Sequence, residues 1–291
     1  MILAECLITV TMNPNCDAVK KAIRESCPPH LEQKMNDDGE METVETFFEK
    51  PNDRPDIVSR VFEQMKKELM RLLHKEGVLG EVIGHCHTYE WQKRSLPHVH
   101  ILEILSNNWR VKTSEDVDAI ISAEIPDPST HPKLYKLVTS FMMHGPCGVD
   151  NPDAACCQNP KKTCRFGFPK EYSDVTVLGE NGYAMPRRSR RGDEEWERKI
   201  VFGTNGKVCK LDNRHVVPYN AWLLLKMQCH MNIEITHHIA CVRYIYKYIF
   251  KGSDRILMRF RVDAKGNMTE DPAHDEVISL ISFLLSQHEH I

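Results

Sequence analysis

The sequence predicts an α+β chain, in which an antiparallel strand hairpin lies among amphipathic helices and a loop-rich, cysteine-containing insertion interrupts them. Three observations carry this. Strand-like apolar runs meet across a short basic turn at 92–95, and several other segments place apolar residues at helical spacing. Between Cys147 and Gly206 both periodicities stop, while Cys, Pro, Gly and basic residues accumulate. With 291 residues, 41% of them apolar, the chain can form one large or two ordinary domains with a real core, which excludes low-complexity and collagen-like classes.

In chain order, "LITVTMNP" alternates apolar residues with threonine and stops at Asn13-Pro14, a strand ending in a turn. From Asn15 to Arg54 the text is polar and acidic, with a short helix expected near Asp17–Ser26 and a mobile insertion around "MNDDGEMETVE". The stretch after Asp53 carries Val58, Val61, Phe62, Met65, Leu69, Leu72 and Leu73 at i, i+3, i+4 spacing, a helix stopped by Gly77. "VLGEVIGHCHTYEW" and "SLPHVHILEIL" are the hairpin strands, joined by "QKRS". Thr113/Ser114 opens a helix with a capping box and acidic first turn, expected to end at Pro126. "HPKLYKLVTSFMMHG" is a further helix, closed by Gly145-Pro146. After the cysteine-rich stretch, "VVPYNAWLLLKMQCHMNIEIT" reads as a turn, an apolar segment and a strand. A helix over "HHIACVRYIYKYIFKG" follows with Gly252 as its cap, then a last strand, "ILMRFRVD", and a last helix, "DEVISLISFLLSQ". The chain thus divides into 1–145, 146–206 and 207–291.

Formal charge, −3, says little, since a nucleic-acid protein can hold a basic face apart from its acidic residues. The N-terminus lacks the basic region of a secretion signal, and no apolar run approaches the roughly 20 residues that span a bilayer. Eleven cysteines without an export signal argue for reduced thiols, some of them candidate metal ligands, in an intracellular protein.

His98 and His100 sit two apart in an apolar strand, so both project to one side and can grip one ion. An oxygen ligand would complete a site suited to magnesium, manganese or a similar cation. Glu90, across the turn on the adjoining strand, is the first candidate and Gln92 the second; two hydrogen-bonded core histidines are the alternative. On the helix after position 237, Tyr244, Tyr248, Lys251 and Arg255 fall at i, i+4, i+7 and i+11, one polar stripe. A phenol with a pKa near 10 attacks phosphorus only where cations stabilise the phenolate and the electrophile, which Lys251 or Arg255 and a metal would do; half-buried boundary tyrosines on an amphipathic helix are the alternative.

His144, Cys147, Cys156, Cys157 and Cys164 crowd the loop-rich segment. Of these, His144, Cys147, Cys156 and Cys164 are candidate zinc ligands, with free buried thiols as the alternative. Around Phe166, Phe168 and Tyr183 lie Lys161, Lys162, Arg165, Lys170, Arg187, Arg188, Arg190 and Arg191. That mixture suits single-stranded nucleic acid, where cations track phosphates and rings stack on bases, although a solvated loop has the same composition.

Taken together, "ITVTMNPN", "YEWQKRSLPHVHILEIL", "LYKLVTSFMMHGPCG", "CRFGFPK", "DNRHVVPYNAWLLLK", "HMNIE" and "RYIYKYIFKGSDR" resemble the relaxase-like replication initiator domain of Helitron rolling-circle transposases, a branch of the HUH endonucleases. The resemblance implies a central antiparallel β-sheet flanked by helices, with the histidine strand in its middle and the tyrosine helix against it. The first and last segments, 1–145 and 207–291, would be the two parts of the nuclease domain. It also implies an enzyme dependent on Mg or Mn that nicks and joins single-stranded DNA at transposon ends through 5′-phosphotyrosine. His98 and His100 match its histidine pair, Tyr244 and Tyr248 its nucleophiles and Lys251 the following lysine, while Glu90 stands where related initiators place an acidic ligand. Arg165, Lys170, Arg187, Arg188, Arg190, Arg191 and Arg255 would contact DNA. The elements so resembled act in the nucleus with a helicase domain, whose phosphate loop this sequence does not contain. The sequence departs from the family pattern at Ser95 and Glu103. The alternative function is a catalytically silent, transposon-derived DNA-binding protein.

Overall fold

The computed structural model describes residues 6–26, 30–35, 41–46, 49–91, 96–179, 183–190, 198–202, 207–236, 260–262 and 268–270. Its strands are β1 (Cys6–Thr11), β2 (His30–Met35), β3 (Met41–Thr46), β4 (Val82–Trp91), β5 (Pro97–Leu105), β6 (Val177–Leu178), β7 (Ala184–Met185), β8 (Arg198–Phe202), β9 (Lys207–Leu211), β10 (Met231–Ile235), β11 (Phe260–Val262) and β12 (Met268–Glu270). The helices are α1 (Asp17–Ser26), α2 (Pro55–His74), α3 (Ser114–Ile120), α4 (Pro132–Phe141) and α5 (Ala221–Met227). None of the described helices is long and apolar enough to cross a membrane.

Four strands form the main sheet in the order β10-β1-β5-β4, and every pairing in it is antiparallel. The architecture is therefore α+β with the histidine strand, β5, in the interior. Because side chains alternate along a strand, the register divides the sheet into two faces. On one, Cys6, Ile8, Val10, Val99, Ile101, Leu105, Met231, Ile233 and Ile235 pack with Val19 and Ile23 of α1 and Ile57, Val58, Phe62, Leu69, Leu72 and Leu73 of α2. The helical spacing of those α2 residues makes the contact continuous, and each buried side chain of this size contributes about 1.5–3 kcal/mol. On the other face lie Thr9, Thr11, Thr88, Glu90, His98, His100, Asn232 and Glu234.

Three expectations change. The expected mobile insertion contains a hairpin of β2 and β3, in register from His30↔Thr46 to Met35↔Met41. It forms its own two-stranded sheet, outside the main one. The capping box at Thr113 and Asp116 is present, but α3 ends at Ile120 and not at Pro126. Ser122 instead exchanges backbone hydrogen bonds with Tyr219, a pairing that requires extended chain. The apolar segment at 221–227 is a helix, α5, whose first turn is capped by the Asn220 Oδ1 accepting from the Leu223 N–H. With α4 it builds a second core around Ile125, Leu137, Val138, Met142, Val216, Tyr219 and Leu224.

Candidate functional site

The polar face of the main sheet is built by register. Thr9 stands opposite His100 and Thr11 opposite His98 on one side, while Thr88 and Glu90 stand opposite the same histidines on the other. His98 is 7% and His100 3% exposed. Each ring is held at Nδ1: Thr11 Oγ1 lies 3.1 Å from that atom of His98, and Thr9 Oγ1 lies 3.0 Å from that of His100. At the far nitrogens the two differ. His100 Nε2 lies 3.2 Å from Glu90 Oε2, whereas His98 Nε2 is buried with no hydrogen-bond partner among the described residues. Gln92, the second oxygen candidate, lies outside the described residues.

Burial pushes the His98 pKa down to about 4, with His100 and His230 adding to the effect and Glu90 opposing it. Burial lowers His100 too, against its bond to Glu90. Both imidazoles are therefore neutral at physiological pH, the form in which a ring nitrogen keeps a lone pair for a cation. A buried nitrogen with no partner is an unmet cost in the folded chain, and a ligand would relieve it.

A second cluster lies in the cysteine-rich segment. His144, Cys147, Cys156 and Cys164 each bring a ligand atom within 4.8 Å of all the others, and among the described residues no other group of three or more His, Cys, Asp or Glu converges so closely. His98, His100 and Glu90 thus share a face without being drawn together to that degree. The four residues are the ones expected from sequence, although their spacings, two, eight and seven intervening residues, match no common zinc module. Gly167, at φ 68°, lets the chain turn between Phe166 and Phe168 where a side chain would be strained. His144 stacks on Phe168 at 4.3 Å between ring centroids and lies 3.2 Å from Cys164 Sγ through Nε2.

The thiols respond to this crowding. Burial first, then the neighbouring sulfurs, raises Cys147 well above the usual thiol range, and burial with the bond to Cys157 raises Cys156 to about 11. Burial acts upward on Cys164 most strongly of any single cause, but the backbone N–H groups of Phe168 and Phe166 together with the Cys156 and Cys147 thiols outweigh it and bring its pKa below the ordinary value. Three such sulfurs cannot all ionise beside one another without a cation among them. The set could bind a metal such as zinc, which supplies that charge and takes tetrahedral sulfur and nitrogen ligands. Cys157 stays outside the four, its sulfur accepting from the Gly148 N–H at 3.1 Å.

The basic residues divide. Arg165 lies over the Phe166 ring at 4.7 Å and Lys170 over Phe168 at 5.0 Å, while Phe166 itself is 52% exposed. Arg190 covers Tyr172, and Arg187 pairs with Glu124 at 3.3 Å. Arg188 corrects the expectation of a surface cation: it is 5% exposed, and its Nη1 donates to the carbonyls of Asn213 and Val216 at 2.7 and 2.6 Å. Its guanidinium ties the 213–216 turn to the chain from a buried position. Tyr244, Tyr248, Lys251, Arg191 and Arg255 lie outside the described residues. Sequence reasoning missed Thr9 and Thr11, which are 91 and 87 residues from their histidines. Their alternation in "ITVT" was the one available signal.

Residues 4–103 match the family model described as the Helitron helicase-like domain at the N-terminus. No curated protein matches the chain. The matched span holds β1, β4 and both histidines, and the cysteine cluster and the tyrosine pair lie beyond it.

Proposed function

We propose that this Helitron-related chain is a metal-dependent endonuclease and strand transferase acting on single-stranded DNA in rolling-circle transposition. The observation that carries the proposal is the polar sheet face: two neutral, buried imidazoles and a carboxylate on adjacent strands, with one imidazole nitrogen, Nε2 of His98, left unpartnered among the described residues. That donor set fits magnesium or manganese, held by His98, His100 and Glu90, which would supply Lewis-acid polarisation of a bound phosphate.

The remaining chemistry belongs to the chain itself. The hydroxyl oxygen of Tyr244 or Tyr248 forms a bond to phosphorus as the phosphorus–O3′ bond breaks. The phenolic proton passes to the departing oxygen, leaving a 5′-phosphotyrosine and a free 3′-hydroxyl. Lys251 and Arg255, on the same stripe, offset the charge that gathers on the phosphate. The second tyrosine lets one site hold one strand end covalently while accepting another, as successive transfers at transposon ends require. Arg165 and Lys170, beside exposed Phe166, offer a surface for the strand on the cysteine-rich segment.

The test is cleavage of end-labelled single-stranded DNA in manganese. The wild type should release a shortened product, and His98→Ala and the Tyr244→Phe/Tyr248→Phe pair should not, with circular dichroism unchanged. Undiminished cleavage by the double tyrosine variant would refute the proposal. Salt-dependent DNA binding with no cleavage by any form would point to the silent DNA-binding protein instead.

A further inference from the structure

A neutral imidazole has one N–H and one lone pair, and the partner at one nitrogen decides what the other can offer. In this sheet the partner at Nδ1 is in both cases a threonine of the neighbouring strand: Thr9 at 3.0 Å for His100 and Thr11 at 3.1 Å for His98. The pairs are not incidental contacts, because the β1–β5 register places each threonine directly across from its histidine. A hydroxyl has a property that a carboxylate or a backbone carbonyl lacks: it both donates and accepts. A carbonyl at that position would fix the Nδ1–H tautomer, and a backbone N–H would fix the other.

The need for such a partner is visible at His100. Its Nε2 lies 3.2 Å from the Glu90 carboxylate, which can only accept while ionised, so Nε2 carries the proton there and Nδ1 has the lone pair. Thr9 then donates to Nδ1. For Nε2 to bind a cation the proton must move to Nδ1, and Thr9 must turn its hydroxyl and accept. Among the described residues His98 has no such competitor at Nε2, which is buried, so Thr11 can hold it in the ligand form from the start.

We propose that Thr9 and Thr11 are positioning residues for the candidate cation site, holding both rings through Nδ1 and permitting His100 to exchange its Glu90-bonded tautomer for the cation-binding one. The inference rests on the proposed function for its cation, but its tautomer component does not.

Nitrogen NMR of the full chain with labelled histidine separates the two. Without metal, His100 should show a protonated Nε2 and a bare Nδ1. Added magnesium should reverse that pattern at His100 and perturb Nε2 of His98. Thr9→Val and Thr11→Val keep the β-branched shape and remove the hydroxyl, and each should weaken manganese binding, read from the free-ion electron paramagnetic resonance signal, by about 10–100-fold. Thr9→Ser and Thr11→Ser should restore it to within a few-fold. Manganese affinity unchanged in the valine variants, or His100 found in the Nδ1–H form without metal, would overturn the proposal. Should the valine variants lose their fold by circular dichroism, the wild-type tautomer and the serine variants still decide it. If the wild type shows the expected metal-free tautomer but binds no cation at these rings, the proposed function fails and the threonine hydrogen bonds stand.

Discussion

Glu103 is a carboxyl in the wrong medium. It projects from β5 onto the apolar face, fully buried, with His74 of α2 as its hydrogen-bond partner at 3.0 and 3.2 Å. Burial pushes its pKa from 4.5 up to about 8, and burial also lowers that of His74. Both shifts disfavour charge, so at neutral pH the pair is a carboxylic O–H donating to an imidazole lone pair. A folded-state pKa above the unfolded one means that the native chain binds the proton more tightly. The resulting stability is complete below pH 4.5 and is lost as pH rises through about 8. The slope is about 1.4 kcal/mol per pH unit, which makes the loss about 3 kcal/mol by pH 7 and about 5 kcal/mol once ionisation is complete. Glu103→Gln keeps the size and removes the proton equilibrium. Urea unfolding of both proteins from pH 5 to pH 9 gives the difference directly, since all other titrating groups are shared. The variant should gain on the wild type steadily as pH rises and level off above pH 8. A pH-independent difference, or a wild type that gains on the variant with rising pH, would mean that folding does not raise the Glu103 pKa and would contradict this reading.

Three further outcomes follow from the cysteine segment and its arginines. Metal analysis should find one zinc per chain, lost with a fall in melting temperature in Cys164→Ser or Cys147→Ser but retained in Cys157→Ser, whose sulfur bonds to a backbone N–H outside the four. Loss of zinc in the last variant alone would redraw the ligand set. Arg188→Ala should cost about 1–3 kcal/mol of stability by leaving two buried carbonyls without their charged donor. Arg165→Ala should leave stability within about 0.5 kcal/mol and reduce the salt dependence of single-strand binding by about 0.7 in log–log slope, and reversed effects in the two variants would exchange their roles.

The parts legible in the sequence were those that local patterning determines. The apolar spacing of α2, the antiparallel pairing of β4 with β5, and the crowding of His144 with three cysteines all lie within short windows. What escaped depends on pairing across the chain. Parity puts His98 and His100 on one side of a strand, but which strand lies beside them, and hence Thr9 and Thr11, follows from the register with β1. Arg188 looked like its neighbours Arg187 and Arg190, and only the carbonyls 25 and 28 residues later make it internal. The β2–β3 hairpin joins two polar strands, and "HLEQKM" and "METVET" lack the apolar alternation that announces a half-buried strand. α5, with seven residues, is too short for its period to separate it from a buried strand.

The central claim is a covalent one, and peptide mass spectrometry tests it most directly. Wild-type protein incubated with single-stranded DNA and manganese, then digested with nuclease and protease, should yield a peptide carrying a 5′-linked nucleotide on Tyr244 or Tyr248, absent when His98 is replaced by alanine. DNA cleaved without any nucleotide-bearing tyrosine, or with the nucleotide on a different residue, would contradict the account.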